Sequence, residues 1–296
     1  MAIPESQLET WAHQGSIQQS SSTYQAVKGA LENQNAIYAD KSFTVFLQGS
    51  YGNDTNIFAE SDVDTVIRLE SIYRYNLNSL PADQVALFRQ NTGGAGYNFS
   101  DFKQGVVTRL KSAFSESNVI PGNKAIQIKA NGARRKADVV TCYEYRRYTR
   151  YYSANDTDFI SGIIFPTTSV GEIINYPELH SENLTVKHQA TGSCFKPMVR
   201  IVKNMRTRLV ASGAIPKDLA PSYYVEGMLY NVPNYAFQGT YENTFIECIN
   251  WLMQADRSLL NCPHEQHRLL GNANTQWPSN NCDRFLTAIV KEWNDW

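Results

Sequence analysis

The stretch KSFTVFLQGSYGNDTNIFAESDVDTVIRLE, residues 41–70, constrains the chain more than any other. Phe43, Val45 and Leu47 alternate along KSFTVFLQ as the buried face of a strand does. Gly49-Ser50 ends that alternation, and VDTVIRL (63–69) resumes it as a second strand. Asp62 and Asp64 stand two apart where the second strand begins. Alternate residues of a strand share a face, so both carboxylates project to the same side. Two like charges so placed are unfavourable without a cation near them. The pattern therefore admits a plain turn followed by a polar strand start, or a phosphate cradle facing a pair of metal ligands.

The second reading makes chemical demands that the rest of the chain can meet. Magnesium prefers oxygen ligands and leaves room for substrate phosphates, so a carboxylate pair beside a triphosphate suits it. Two such ions about 4 Å apart stabilise both the attacking and the leaving oxygens in phosphoryl transfer. A further carboxylate is then needed, and Asp138 in the strand ADVV would supply it from a neighbouring strand. Glycine lets backbone N–H groups approach phosphate oxygens closely, and the Ser50 hydroxyl adds a donor. Gly-Ser alone is a weak signal, as is Asp-x-Asp; in strand–Gly-Ser–loop–Asp-x-Asp–strand order, with a later strand aspartate, they favour the functional reading. The helical segment at 193–210 adds to it: at about 100° per residue, Lys196, Arg200 and Lys203 share one face, and Met198, Ile201, Val202, Met205 and Leu209 the opposite one. Such a basic stripe can neutralise a triphosphate or simply face solvent.

The spacing elsewhere predicts helices at 5–14 and 21–34, the second with Tyr24, Val27 and Leu31 on one face. Phe102, Val106, Leu110 and Phe114 recur every fourth residue, with Ser100 as the candidate N-cap. AIQIKANGARRKADVVTCYEY reads as a hairpin turning at Asn131-Gly132. Residues 153–190 are rich in Pro, Gly, Thr and Asn and read as a connection, after which every apolar run has helical spacing. With 42% hydrophobic and 19% charged residues the chain has the composition of a globular protein. Its 27 basic and 28 acidic residues leave a net charge of −1, which excludes a global field drawing it to nucleic acid or anionic membrane. Five scattered cysteines form no disulfide framework, and the absence of a long apolar run points to a soluble cytoplasmic protein.

The run QGSYGNDTNIFAESDVDTVI, the later ADVV and the KPMVRIVKN helix resemble the bacterial cGAS/DncV-like nucleotidyltransferases (CD-NTases), relatives of animal cyclic GMP-AMP synthase and oligoadenylate synthase. The Gly-Ser…Asp-x-Asp…Asp set is shared with all polymerase-β-like nucleotidyltransferases, and the order of lobes narrows the resemblance to this branch. It implies an α+β fold: a polymerase-β-like lobe of mixed sheet and helices over 1–165, then a connection and helical C-terminal lobe over 166–296, one bilobed unit with the active site in the cleft. It also implies synthesis of cyclic di- or trinucleotide messengers from NTPs in anti-phage (CBASS) defence, with a downstream effector reading the product. The substrates implied are ATP or GTP, with pyrimidine NTPs open, and the cofactor is Mg²⁺ as two ions, for which Mn²⁺ can substitute. Carried over by position, Asp62 and Asp64 bind the metals, and Asp138 completes the triad and helps activate the attacking ribose hydroxyl. Gln48, Gly49 and Ser50 line the phosphate site, Lys203 contacts the triphosphate, Lys196 is a further nucleotide-binding residue, and Ser222, opening SYYVEG, touches the donor nucleotide. Thr141-Cys142 stands where many relatives have a proline.

Three other motifs read more simply as structure. NTGGAGYNFS (91–100) lacks the Lys-Ser/Thr of a P-loop and reads as a link before a helix. YEYRRYTRYY (143–152) mixes arginine and tyrosine as nucleic-acid binders do, but also as a strand end meeting surface structure does. Cys262, His264, His267 and Cys282 could form a zinc site, but their C-x-H-x-x-H spacing is irregular, and they read more simply as scattered core cysteines with surface histidines. No obligatory DNA or RNA activator and no membrane partner are expected. Two rivals stay open: a nucleotidyltransferase modifying a small molecule, a protein or an RNA end, and a non-catalytic nucleotide-binding regulator, whose usual sign would be a lost aspartate.

Overall fold

The computed structural model describes residues 3–15, 17–59, 62–94, 96–167 and 171–296. In chain order its first elements are α1 (Glu5–Ala12), α2 (Ile17–Leu31), β1 (Phe43–Gln48), α3 (Gly49–Gly52) and β2 (Val63–Asn76). Then come α4 (Ala82–Asn91), α5 (Phe99–Phe114), β3 (Val119–Pro121), β4 (Ile126–Ile128), β5 (Ala137–Ser153), β6 (Asp156–Thr167) and β7 (Gly171–Asn175). The chain closes with α6 (Pro177–Ala190), α7 (Phe195–Ala211), α8 (Ser222–Tyr230), α9 (Tyr241–Gln254) and α10 (Ser279–Asp295). Contacts divide it into two compact units: the described residues of 19–47 and 62–177, and those of 1–18, 48–61 and 178–296.

The first unit is built on a mixed sheet in the order β1-β2-β5-β4-β3, with β6 on β5 and β7 on β6. β2 and β5 run parallel, and β3, β4, β6 and β7 join by antiparallel pairing. Val66, Val140, Cys142, Ile163 and Phe165 pack together as one of its cores. The predicted hairpin exists between β4 and β5, but its turn is wider than Asn131-Gly132 alone. The Asn131 side chain accepts hydrogen bonds from the Ala133 and Arg134 N–H groups, and these bonds organise a longer connection. Asn98, not Ser100, caps α5: its Oδ1 accepts from Asp101 N at 2.9 Å, so Ser100 falls inside the helix.

The polar segment 153–190 is mostly regular structure rather than a bare connection, although 168–170 lie outside the described residues. Ser153 pairs with Asp156, so Ala154 and Asn155 form a two-residue hairpin that returns the chain as β6 along β5. The run YEYRRYTRYY is an interior part of β5. Tyr143, Tyr145, Tyr148 and Tyr151 are buried, Arg146 lies over the Tyr73 ring at 3.9 Å, and Arg150 pairs with Asp158. Arg146 and Arg150 are thus engaged by neighbouring side chains of the sheet, Arg146 also pairing with Glu144.

The second unit is helical around one large core. Met198, Ile201, Val202, Met205 and Leu209 of α7 are all buried there, as the helical periodicity predicts, with Leu8, Val225, Phe245 and Phe285 from other helices. The short segment 48–59 belongs to this unit. It is fastened to it by Gly15 N donating to Asn56 O, and by Arg200 Nη1 donating to Asp54 O. Among the described residues no helix is long and apolar enough to cross a membrane.

Candidate active site

In the sheet unit, parallel pairing sets Val63 opposite Ala137, Asp64 opposite Asp138 and Thr65 opposite Val139. The flanking residues Val63, Thr65, Ala137 and Val139 are buried while Asp64 and Asp138 are half-exposed. The apolar positions therefore fix the register, and the register brings the two aspartates together. Asp62, one residue before β2, is exposed. Lys136 joins the group from the start of β5: its Nζ donates to Asp62 Oδ2 at 2.6 Å and to Asp138 Oδ2 at 3.0 Å. Partial burial alone would lower the Lys136 pKa, but the two carboxylates hold it above the ordinary lysine value.

Asp62, Asp64 and Asp138 offer oxygen donors alone, the set a hard divalent cation prefers. The ammonium shared by Asp62 and Asp138 shows the attraction of this cluster for positive charge. In chemistry the residues fit the implied metal. Among the described residues, however, no three His, Cys, Asp or Glu side chains are drawn together as a ready-made metal cage. The same holds for Cys262, His264, His267 and Cys282. Both cysteines are buried as expected, but His264 is buried too rather than at the surface, and burial holds its pKa down at about 3.

In the helical unit, Gln48 leads from β1 into the single turn α3. Gly49 has φ +67°, a conformation that a residue with a Cβ adopts only at a cost. The Gln48 side chain makes no capping bond, so the first N–H groups of this turn have no side-chain acceptor there. The turn is closed from behind, where Asn53 N donates to Gly49 O and Thr55 N to Ser50 O.

The Lys196/Arg200/Lys203 face of α7 is not a solvated stripe. Lys196 is 5% exposed and donates to Asp54 Oδ2 at 2.9 Å. Arg200 Nε donates to Ala12 O at 2.5 Å. Lys203 is 0% exposed and its Nζ lies 3.9 Å from Glu226 Oε1. Ser222 opens α8, and Arg206 fixes that helix start by donating to Ala220 O at 2.7 Å and to Ser222 Oγ at 3.3 Å. Gln48, Gly49, Ser50, Lys196, Lys203 and Ser222 thus all belong to the helical unit, whereas Asp62, Asp64 and Asp138 belong to the sheet unit.

Two charged groups at these positions escaped the sequence reading. Lys136 stands two before Asp138, a strand spacing that could have flagged it. Glu226 is an isolated glutamate in the otherwise apolar middle of SYYVEGMLY, four residues after Ser222 and hence on its helical face. It is buried, and it bonds Asn53, Thr55 and His180.

A family model described as the cGAS/DncV-like nucleotidyltransferase C-terminal helical domain matches residues 182–294. The cyclic UMP-AMP synthase of Rhodothermus marinus (strain SG0.5JP17-172) is 39% identical to the chain, with 100% of this chain and 99% of that protein aligned. The cyclic nucleotide synthase CdnE01 of Staphylococcus haemolyticus is 36% identical, with 100% of each aligned. The solved structure of Rhodothermus marinus CdnE c-UMP-AMP synthase with Apcpp and Upnpp is similar at a TM-score of 0.89 and 38% identity, covering 99% of this chain and 97% of that one. At this identity and coverage, the chain belongs to the cGAS/DncV-like nucleotidyltransferases, the CD-NTases, and is a nucleotidyltransferase of the kind that makes cyclic nucleotides.

Proposed function

We propose that the protein joins two or three NTPs into a cyclic nucleotide, releasing one pyrophosphate for each bond made. In each transfer a 2′ or 3′ hydroxyl attacks the α-phosphate of a donor NTP, and a last transfer closes the ring. The observation that carries this reading is the register pairing of Asp64 with Asp138 across β2 and β5 in a chain aligned end to end with cyclic nucleotide synthases. ATP and UTP are the first substrates to try, because the relative at 39% identity is a cyclic UMP-AMP synthase.

Asp62, Asp64 and Asp138 would hold Mg²⁺, with Mn²⁺ as a substitute; such ions supply positive charge to the attacking and leaving oxygens. Asp138 also accepts the proton of the attacking hydroxyl. Gly49 and Ser50 present the uncapped N–H groups of α3 and a hydroxyl to the phosphates, with Gln48 beside them. Lys203 neutralises triphosphate charge, Lys196 supports it through Asp54, and Ser222 contacts the donor nucleotide. The biological role we propose is anti-phage signalling in the cytoplasm, where NTPs are plentiful, with an effector that reads the cyclic product.

Incubating purified protein with labelled NTPs tests this. A phosphatase-resistant product in Mg²⁺ or Mn²⁺, lost in EDTA and formed without any added acceptor, is the expected result. Labelling that requires an added small molecule, protein or RNA end would refute cyclisation.

A further inference from the structure

Lys136 is the last residue before β5, and the neighbouring strand fixes its backbone: Val63 N donates to Lys136 O at 3.0 Å. Val63 is opposite Ala137 and Asp64 opposite Asp138, so one step back along both strands Asp62 comes beside Lys136. The four charged side chains therefore stand in two ranks, Asp62 with Lys136 and Asp64 with Asp138. Lys136 also shares a face of its own strand with Asp138, two residues on. Its ammonium spans both ranks, donating to Oδ2 of Asp62 at 2.6 Å and to Oδ2 of Asp138 at 3.0 Å. On the other side of Asp138 stands Gln127 of β4, which brings no charge.

We infer that Lys136 is an exchangeable internal cation: it holds carboxylate oxygens of Asp62 and Asp138 until a divalent ion takes them, and so limits how tightly the site binds metal. This rests on the reading above, in which Asp62, Asp64 and Asp138 hold Mg²⁺. An ammonium and a hard divalent ion seek the same oxygens. Their like charges repel when they share two carboxylates, so one gains at the expense of the other. Lys136 is also placed to leave. Its ammonium rides on a flexible four-carbon stem, its side chain is 33% exposed, and a partly exposed ion pair is held weakly. No proton moves in the exchange: Lys136 keeps its charge and trades two carboxylates for water. Had Lys136 instead stayed in place and held the carboxylates ready for the metal, its removal would weaken metal binding. Exchange gives the opposite sign.

The test is Mn²⁺ binding to the full chain without nucleotide, the free ion being counted by its electron paramagnetic resonance signal. Lys136→Met is expected to lower the Kd for Mn²⁺ about fivefold, the size of two partly exposed ion pairs removed together. Lys136→Arg keeps the charge and should bind no more tightly than wild type. Lys129, on the connection from β4 to β5, has no part in these ion pairs, and Lys129→Met should change Kd by less than about twofold.

An unchanged or raised Kd in Lys136→Met overturns the exchange. An equal fall in Lys129→Met overturns it too, because the effect would then be one of general charge. If Lys136→Met does not fold, Lys136→Gln keeps a donor for the carboxylates without the charge and is judged by the same outcomes. Asp138→Asn separates this inference from the reading it rests on. Mn²⁺ binding that Asp138→Asn does not weaken, or no binding by any variant, overturns the metal assignment itself. Binding weakened by Asp138→Asn but unchanged in Lys136→Met leaves that assignment standing and removes only the exchange.

Discussion

The buried Glu226 carboxylate makes a quantitative prediction about stability and pH. Burial pushes its pKa up, but the hydrogen bond from His180, the Lys203 charge and the Thr55 hydroxyl outweigh burial and hold it at about 2, below the usual 4.5. At about 1.4 kcal/mol per unit, this is about 3 kcal/mol of stabilisation at neutral pH. The figure agrees with the roughly 3–5 kcal/mol lost when one member of a buried ion pair is removed. A depressed folded-state pKa stabilises above the unfolded value, and the stabilisation disappears as pH falls through the folded value. The advantage of wild type over Glu226→Ala should therefore be full at pH 6–7, begin to shrink below 4.5, and fall to about half by pH 3. All five tryptophans (Trp11, Trp251, Trp277, Trp293 and Trp296) lie in the helical unit, so tryptophan fluorescence during urea unfolding reports the unit that holds Glu226. A difference below about 1 kcal/mol at pH 7, or one that does not change down to pH 3, would refute the ionised hub.

Replacing Asp62 and Asp64 together by Asn should abolish product while leaving the melting temperature nearly unchanged. The Asp62–Lys136 ion pair lost with them is partly exposed and contributes no more than about 1 kcal/mol; synthesis by the purified double variant would contradict this. Asp138→Ala should cut turnover about a thousandfold or more, the equivalent of several kcal/mol of charge stabilisation, with NTP binding retained. Equal loss of binding and turnover would make Asp138 a substrate ligand only. Lys203→Ala should raise KM for NTP, and added duplex DNA or RNA should neither rescue it nor be required by wild type. Strict dependence on duplex would show that the near-neutral charge balance misled.

The aspartates were legible because strand period and charge repulsion are local facts: Asp62 and Asp64 share a side in any strand that starts there. The pairing of Asp64 with Asp138 was not, since nothing in either strand says which residue of a strand some seventy positions away it meets. For the same reason Lys136 showed its spacing to Asp138 but not its bond to Asp62. The face of α7 carrying Lys196, Arg200 and Lys203 followed from helical geometry. What covers that face, Asp54 and Glu226, depends on long-range packing that periodicity does not carry. β6 was missed because the Gly, Pro, Thr and Asn residues within and around it read as loop, although Phe159, Ile160, Ile163, Ile164 and Phe165 give it the apolar content of a strand that pairs with the long β5. Glu226 was hardest to find, because its partners lie in three separate parts of the chain.

The central claim, cyclisation of NTPs by the Asp62, Asp64 and Asp138 set, is tested most directly by mass spectrometry of the product. Purified protein is given ATP, GTP, CTP, UTP and Mg²⁺, and the mixture is treated with phosphatase, with Asp138→Ala as control. The account predicts a mass equal to two or three nucleoside monophosphates less one water per linkage including the closing one, absent from the Asp138→Ala reaction. Linear oligonucleotides alone, or the same cyclic product at wild-type yield from Asp138→Ala, would contradict it.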